Sequence, residues 1–251
     1  MPAPKKSAAP VTRIEKKEAT RQQLIAATVE VIAADGFADM TLAKVSQRAQ
    51  VSRGLVNFHF TSKEQLLVET LRQLTEEYRS TWSKAIAKPS RARDKLLALL
   101  RADFSPKVCN RKKIAVWYAF WGEAKSRPTY LDVCAKADGA FADAVEDLCR
   151  EVAKEGGYAV DASLAARGLR CMTDGLWLEL LMAPQQFRRD VAMRTCLQYL
   201  AQLFPKHFLG SEFDHLTAQS LEQDGADFAE AAPGEDRRTE SVALQGSGTS
   251  A

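Results

Sequence analysis

The sequence predicts an all-α protein with a three-helix helix-turn-helix head at the N-terminus and a larger helical domain after it. Apolar residues recur at positions i, i+3, i+4 and i+7 through most of residues 14–208, which is the period of a helix with one buried face. No stretch alternates apolar and polar residues with period two, so no strand is expected. Two short apolar-faced segments near the N-terminus each follow a residue suited to cap a helix.

The first helix is expected at residues 14–35. Its apolar face ends at Gly36, a residue type that accepts the left-handed backbone common after the last helical turn. The residues of this face are Leu24, Ile25, Thr28, Val31 and Ile32.

Two short helices separated by a tight turn follow the first. Thr41 is expected to cap the second helix, and Gln50, Val51 and Ser52 interrupt it. Ser52 in turn caps a third helix. The predicted inner faces comprise Leu42, Val45 and Ala49 in the second helix, and Leu55, Val56 and either Phe58 or His59 in the third. This arrangement is typical of a helix-turn-helix, whose second helix enters the major groove of DNA.

The outer side of the third helix has the chemistry to contact a duplex. Ser52, Arg53, Gly54 and Asn57 lie on its exposed face or first turn; Arg53 suits guanine or phosphate, and Asn57 suits adenine. A glycine inside a helix costs about 1 kcal/mol relative to alanine. Gly54 therefore indicates close approach by a partner, although ordinary surface residues of a three-helix bundle would show similar spacing.

The fourth helix is expected to open at Ser62, with Gln65 completing a capping box. Lys63 lies in its first turn, where a cation opposes the helix dipole unless a phosphate lies nearby. The apolar face comprises Leu66, Leu67, Thr70, Leu71, Leu74, Tyr78 and Trp82.

Helical patterns continue to Phe204. After Pro89, with Ser90 as the expected cap, a helix contains Leu96, Leu97, Leu99 and Leu100, and the segment IAVWYAFWGEA follows. Further helices are expected at 128–155, closed by Gly156 and Gly157, at 161–182, capped by Asp161 and ended before Pro184, and at 187–204.

The two ends of the chain differ from its middle in charge and composition. The first residues, MPAPKKSAAPVTRIEKK, are basic without the apolar stretch of a signal peptide. Nine acids against two arginines follow residue 208, giving that segment a net charge of −7 and residues 1–208 a net charge of +10. We expect a flexible basic arm and a disordered acidic tail. The basic balance permits a nucleic-acid partner, although many basic faces are merely solvated.

Several classes of protein are disfavoured. No apolar run approaches the length of a membrane span. Five cysteines without a CxxC pair indicate reduced thiols in a cytoplasmic protein, with neither disulfides nor zinc. The histidines, His59, His207 and His215, lie beside no acid or cysteine at ligand spacing, so we expect no catalytic residues, metal or cofactor.

The densest aromatic cluster of the sequence lies in one predicted helix. Trp117, Phe120 and Trp121 fall at i, i+3 and i+4 with Tyr118 between them, and in a later helix Asp174 lies one turn before Trp177. Aromatic faces near a carboxylate suit a quaternary ammonium ligand. Each of these rings is also well placed to be ordinary core.

Residues 14–67 resemble the DNA-binding domain of the tetracycline-repressor (TetR) family. Two positions depart from the family pattern: Gln50 stands where a turn glycine is usual, and Asn57 stands where a phosphate-contacting tyrosine is usual. Phe58 or His59 could partly replace that tyrosine. The matching residues are Gly36, Phe37, Thr41, Ala49, Val51, Ser52, Gly54, Phe60, Lys63 and Leu66.

The segments WYAFWGEAKSRPTYLDV and DGLWLELL resemble the choline-responsive repressors of the BetI type within that family. The resemblance implies a homodimer, joined through its last two helices, that binds a palindromic operator and is released by choline to allow choline uptake and glycine betaine synthesis. A TetR-type repressor of another hydrophobic or cationic effector, and a helical enzyme or lipid-binding bundle, are the alternatives.

The residue patterns and the resemblance together indicate which residues contact each partner, and composition adds a basic arm and an acidic tail that lie outside the resemblance. DNA contacts are expected from Thr41, Ser52, Arg53, Gly54, Asn57, Phe58, His59 and Lys63, and effector contacts from Trp117, Tyr118, Phe120, Trp121, Asp174 and Trp177. The predicted parts are the basic arm (1–13), the DNA-binding domain (14–61), the effector-binding and dimerisation domain (62–208) and the acidic tail (209–251).

Overall fold

The computed structural model describes residues 12–209, which form ten α-helices and no strand. The all-α prediction is confirmed. Residues 1–11 and 210–251, which include most of the predicted arm and tail, lie outside the described residues. The helices are α1 Arg13–Asp35, α2 Leu42–Arg48, α3 Arg53–His59, α4 Lys63–Ile86, α5 Ala92–Asp103, α6 Arg111–Ala124, α7 Pro128–Gly156, α8 Ala162–Met182, α9 Arg189–Leu203 and α10 Pro205–Phe208.

The helix-turn-helix is formed by α2 and α3, and both caps are as predicted. The Thr41 hydroxyl accepts a hydrogen bond from the Lys44 amide at 3.2 Å, and the Ser52 hydroxyl accepts one from the Leu55 amide at 3.2 Å. These caps fix where each short helix begins. The buried residues that pack the head together include Leu24, Val31, Met40, Val45, Val56 and Phe60.

Several helix ends differ from the predictions for local reasons. The helix α1 begins at Arg13 because Thr12 and Glu15 form a capping box. Gly36 does have positive φ, but its φ and ψ of 86° and 167° are extended, not left-handed helical. Ser90 does not cap α5, since Arg91 holds the N-cap position without a side-chain bond.

The last two described helices and the start of α4 also differ from the predictions in detail. The helix α9 begins at Arg189, and Pro205 starts a separate short helix, as its fixed φ allows. The Ser62 hydroxyl accepts from the Gln65 amide at 3.0 Å as predicted, whereas the Gln65 side chain accepts from the Thr61 amide at 2.7 Å. The capping box is therefore shifted by one residue.

The long helix α4 belongs to both halves of the described structure. It packs against α1 of the head and against α5 and α7 of the larger domain. Every residue of its predicted apolar face is buried, from Leu66 near the head to Trp82 at the other end. A displacement of α4 would therefore move core side chains and head together.

The helices α8 and α9 pack closely through a glycine. A Cβ placed on Gly168 would lie 2.2 Å from the Tyr199 hydroxyl, which donates a hydrogen bond to the Ala165 carbonyl at 3.1 Å. Only glycine leaves room for this contact. All five cysteines are free thiols, and only Cys171 on α8 is exposed.

A second junction joins the head to the larger domain. The Phe37 ring, in the turn after α1, packs edge-on against Phe120 at 5.6 Å and Tyr130 at 6.2 Å between centroids. The Arg127 guanidinium lies over both Phe37 and Tyr130 and bonds to Glu64 at 2.8 Å. Both α6 and α7 thus contact the head directly.

Candidate DNA-contact and effector sites

The outer face of α3 presents an exposed polar surface. Arg53, Gly54 and Asn57 are all exposed, and Ser52 is exposed at the cap. A Cβ added to Gly54 would meet only the Ser52 hydroxyl oxygen, at 3.9 Å. No contact within the described residues therefore requires a glycine there.

Phe58 and His59 lie toward the N-terminal half of α1. Phe58 is 66% exposed, with the Lys17 ammonium 5.6 Å from its ring, so its predicted place on the inner face is wrong. His59 is half-buried, and burial, followed by the nearby charges of Lys17 and Arg21, lowers its pKa. The His59 ring is therefore neutral at pH 7.

Lys63 has a structural contact that the sequence did not indicate. Its ammonium donates to the Met40 carbonyl at 2.5 Å, which ties the first turn of α4 to the segment before α2. The Lys63 side chain, which was predicted to contact phosphate, therefore points into the head. Thr41, in contrast, stays exposed while its hydroxyl caps α2.

Most of the rings that were predicted to contact the effector come together around Tyr78, which was predicted as part of the apolar face of α4 but not as part of this site. Tyr78 of α4 is buried, and its ring lies edge-on to Trp117 at 6.3 Å and to Trp177 at 5.7 Å, and beside Phe141 at 5.6 Å. Trp121 continues the cluster through Trp117 at 6.1 Å. These centroid distances define an aromatic cluster formed from α4, α6, α7 and α8.

Two residues that were predicted to contact the effector differ in their contacts. Tyr118 adjoins the cluster and also bonds outside it, whereas the ring contacts of Phe120 lie elsewhere. Tyr118 packs against Trp121 at 5.0 Å and donates its hydroxyl to the Asp174 carbonyl at 2.7 Å. Phe120 packs against Phe37 and Tyr130 at the junction with the head. Trp117, Phe120 and Trp121 share a face of α6 as their spacing predicts, but only Trp117 and Trp121 contact each other, while Phe120 contacts the rings at the junction with the head.

Arg170 of α8 occupies one side of the aromatic cluster. Its guanidinium bonds to Asp174 at 3.0 Å and to Asp138 at 3.1 Å, and lies 5.1 Å from the Phe141 ring centroid. Burial raises the pKa of both carboxyl groups, and the Arg170 charge opposes that rise. Asp174, predicted to face a cationic ligand, is thus already paired with a cation.

The Tyr78 hydroxyl also contacts a buried carboxyl group. The Tyr78 hydroxyl donates to Asp103 Oδ1 at 2.7 Å, and burial raises the pKa of Asp103 to about 6. Thr173 lies close enough to lower that pKa, but its hydroxyl donates to the Arg170 carbonyl at 3.0 Å. Asp103 Oδ2 and Trp177 Nε1 are buried without a hydrogen-bond partner among the described residues.

The sequence analysis missed several residues of this site. An i, i+4 pair of Arg170 and Asp174 inside an otherwise apolar helix was the available signal for Arg170. Asp103 is the last residue of the apolar helix α5, and no pattern in the sequence marked it as part of a site. The missed residues are Tyr78, Asp103, Asp138, Phe141 and Arg170.

Known proteins match both halves of the chain. Residues 24–70 match the family model described as bacterial regulatory proteins of the tetR family, and residues 92–205 match that of the BetI-type transcriptional repressor C-terminal domain. The HTH-type transcriptional regulator BetI of Paraburkholderia phymatum is 32% identical over 189 residues, covering 75% of this chain and 94% of that protein. The chain belongs to the TetR family. Its C-terminal domain is of the BetI type.

Other TetR-type relatives agree. BetI 1 of Chromohalobacter salexigens is 31% identical, covering 72% of this chain and 89% of its own. A putative transcriptional regulator of Pseudomonas aeruginosa has a TM-score of 0.67 at 30% identity, covering 76% of this chain and 95% of its own. A Saccharomonospora viridis regulator solved in complex with choline shares the fold, with a TM-score of 0.67 at 20% identity, covering 73% and 96% respectively.

Membership of the TetR family makes this chain a DNA-binding transcriptional repressor and not an enzyme. Within residues 12–209 no helix is long and apolar enough to cross a membrane. In the same range no three His, Cys, Asp or Glu side chains are grouped so as to hold a metal ion.

The two departures from the TetR pattern have different structural consequences. Gln50, in place of the usual turn glycine, adopts a φ of 54°, the only positive φ of a non-glycine residue in the described part of the chain. The turn geometry is thus kept at some steric cost. Asn57, in place of the usual tyrosine, lies exposed on α3, one residue before the exposed Phe58 ring.

Proposed function

We propose that this TetR-family repressor is a homodimer that binds a palindromic operator and is released from it by a quaternary ammonium effector, choline. The genes under its control would then be those for choline uptake and glycine betaine synthesis. The observation that carries the effector assignment is the cluster of aromatic rings and carboxylates around Tyr78, in the region that matches the BetI-type domain.

The operator contacts follow from exposure and chemistry on α3. Arg53 and Asn57 are the residues proposed to contact base edges, because they are exposed and have the matching hydrogen-bonding groups. Thr41 and Ser52 are proposed to contact phosphate at the helix N-termini, with Phe58 packing beside the backbone. His59 and Lys63 are proposed to hold the head in shape, since both face other parts of it.

The dimer interface is proposed on exposed apolar residues of α8 and α9. Leu164, Leu178 and Met182 of α8 and Val191 of α9 are exposed, although large apolar side chains are usually covered. Met172 and Leu176 are half-buried. Other apolar residues of the same two helices and of the C-cap of α9 are buried within the chain: Leu169, Leu180, Cys196, Leu197, Leu200 and Phe204.

The effector class follows from the groups in the cluster. A quaternary ammonium has no N–H to donate and is held by ring faces and by nearby negative charge. The rings of Trp117, Trp177 and Phe141 surround Tyr78, and Asp138 and Asp174 lie at their edge. The choline bound to the Saccharomonospora regulator supports the same chemistry on this fold.

Release would require the effector to favour a dimer whose two α3 helices no longer match successive major grooves, about 34 Å apart. Tyr78 lies on α4, which also packs against the head, so α4 is the proposed lever. The effector shifts this equilibrium only as far as it binds the released state more tightly.

Fluorescence anisotropy of the protein on its own upstream DNA, at fixed salt, tests this proposal. We expect choline to release the DNA and its uncharged analogue 3,3-dimethylbutan-1-ol, which has the same shape, to have no effect. Release by both compounds would indicate an effector site that selects shape without charge. Tight DNA binding that ignores both would retain the repressor and reject choline, leaving a different hydrophobic or cationic effector such as a drug or another metabolite.

A further inference from the structure

We infer that Arg170 is a built-in cation occupying the ammonium subsite of the effector site, and that the effector binds by exchanging with its guanidinium. The inference rests on the proposed cationic effector and adds a competitor that the protein itself carries. It assigns Asp138, Asp174 and Phe141 to that subsite.

The contacts of Arg170 are those that a ligand cation would need. Its guanidinium has a carboxylate on two sides, Asp174 at 3.0 Å and Asp138 at 3.1 Å, and the Phe141 ring at 5.1 Å. The side chain is only 18% exposed, so these interactions are partly shielded from water. Cations over aromatic rings are held most strongly when desolvated in this way.

The charges around the site do not balance without a cation. The positive charge of Arg170 interacts electrostatically with three carboxyl groups, those of Asp103, Asp138 and Asp174. If the guanidinium leaves, Asp138 and Asp174, which are 49% and 33% exposed, lose the cation that lies between them. The two carboxylates then repel each other, and a positive charge in the same place relieves that repulsion. A ligand cation is the natural replacement.

The Tyr78 hydroxyl, which Arg170 also contacts, lies beside polar groups suited to the other end of the same ligand. Asp103 Oδ2 is an acceptor without a donor, and Trp177 Nε1 is a donor without an acceptor, both buried. A ligand hydroxyl group can supply a donor to the first or an acceptor to the second. The effector class that fits the two ends is an amino alcohol with a quaternary nitrogen.

Exchange would also connect binding to the lever. Arg170 Nη1 lies 3.5 Å from the Tyr78 hydroxyl, so the guanidinium bridges α8 and α4 across the cluster. Departure of the guanidinium removes that bridge. It also means that the site accepts a ligand only in the fraction of molecules whose Arg170 has moved away, which weakens the apparent affinity by that fraction.

The test is the affinity for choline of the full chain without DNA, measured by titration calorimetry for the natural sequence and for Arg170→Gln. We expect the variant to bind choline at least about tenfold more tightly, because the competitor is gone. The matched control is Arg150→Gln on α7, an arginine that pairs with Glu146 and Asp147 on the surface. The control should leave the affinity unchanged.

Thermal unfolding verifies that Arg170→Gln is folded, and Arg170→Lys serves if it is not. Lysine keeps the charge but has a point donor instead of a fork, so we expect tighter binding by a smaller factor. Equal or weaker binding by a folded variant overturns the exchange, while release of DNA by choline in the natural protein would still uphold the proposed function. Binding by Arg170→Gln alone would support the exchange and reject choline as the natural effector.

Discussion

Gly54 is the residue whose role the structure isolates most clearly. It lies in the first turn of α3, exposed, and an added Cβ would meet only the Ser52 hydroxyl oxygen at 3.9 Å. Packing within the described residues gives no reason for a glycine, and alanine favours helix. Because Gly54 also lies on the proposed DNA-contact face of α3, we attribute it to close approach of the duplex to the backbone.

Gly54→Ala should therefore change stability and DNA binding in opposite senses. We expect the free energy of unfolding to rise by up to about 1 kcal/mol, since alanine is the better helix former. We expect the operator Kd to rise at least about tenfold, because the new methyl group would hold the duplex away. Chemical denaturation and anisotropy at one salt concentration measure the two effects.

Gly139→Ala provides the control for this substitution. Gly139 lies exposed in α7, also with no atom within 4 Å of an added Cβ, but outside the head. It should gain stability and bind the operator as the natural protein does. A Gly54→Ala protein that is more stable and binds DNA equally well would show that the duplex does not approach α3 there.

Four of the five predicted cap residues hold, because capping is local. Thr41, Ser52, Ser62 and Asp161 each accept a hydrogen bond from a backbone amide two or three residues away, whereas Ser90 does not cap α5. The contact of Lys63 with the carbonyl of Met40 was not predicted, because the two residues are 23 positions apart in sequence. Spacing along one helix says nothing about such a partner.

Among the helices, α6 connects the two proposed sites directly. Trp117 contacts Tyr78 in the aromatic cluster, and Phe120, almost one turn later, contacts Phe37 in the head. The helix is short enough that a rotation at the cluster would reach Phe37. We therefore expect α6 to assist α4 in transmitting effector binding.

Phe37→Leu should weaken that transmission without abolishing either binding event. Leucine keeps the apolar contact but loses the edge-on ring contacts to Phe120 and Tyr130. We expect choline affinity to stay within about twofold, while the ratio of operator Kd values with and without choline falls at least about fivefold. Calorimetry gives the first quantity and anisotropy the second.

A comparable substitution far from the head serves as the reference. Tyr158→Leu also truncates a half-buried ring, one that packs against Phe204 at 5.5 Å near the end of the chain. Its ratio of operator Kd values with and without choline should equal that of the natural protein. If Phe37→Leu matches it, the coupling runs through α4 without the Phe37 contact.

At the scale of the whole molecule, the exposed apolar residues of α8 and α9 predict the assembly. Leu178→Glu should convert the dimer to a monomer, because a carboxylate would then be buried at the proposed interface. Operator affinity should fall with it, since a monomer engages one half-site only. Sedimentation velocity measures the mass and anisotropy the affinity.

Leu131 allows the same change on a different surface. It is 55% exposed on α7, against 40% for Leu178, so glutamate fits either position without disturbing the core. Leu131→Glu should remain dimeric. A monomer from Leu131→Glu and a dimer from Leu178→Glu would move the interface to α7.

Part of the proposed effector site could not be predicted, because its side chains come from helices that are far apart in the sequence. The predicted rings Trp117, Trp121 and Trp177 do meet in one cluster, because each lies on the apolar face of its helix. Tyr78 and Phe141 complete it from α4 and α7, and no periodicity within one helix specifies which neighbour it will face. The Arg170 pairing was hidden for the same reason, since Asp138 lies on another helix.

Asp103 gives the core a dependence on protons. Its carboxyl titrates near 3.8 in an unfolded chain and at about 6 in the folded protein, where burial opposes the charge. Between these values the folded chain holds a proton that the unfolded chain has released, so the contribution of Asp103 to stability falls as pH rises through this interval and stays low above it. At neutral pH the uncomplexed repressor therefore carries an ionised Asp103 that opposes folding at the centre of its proposed effector site.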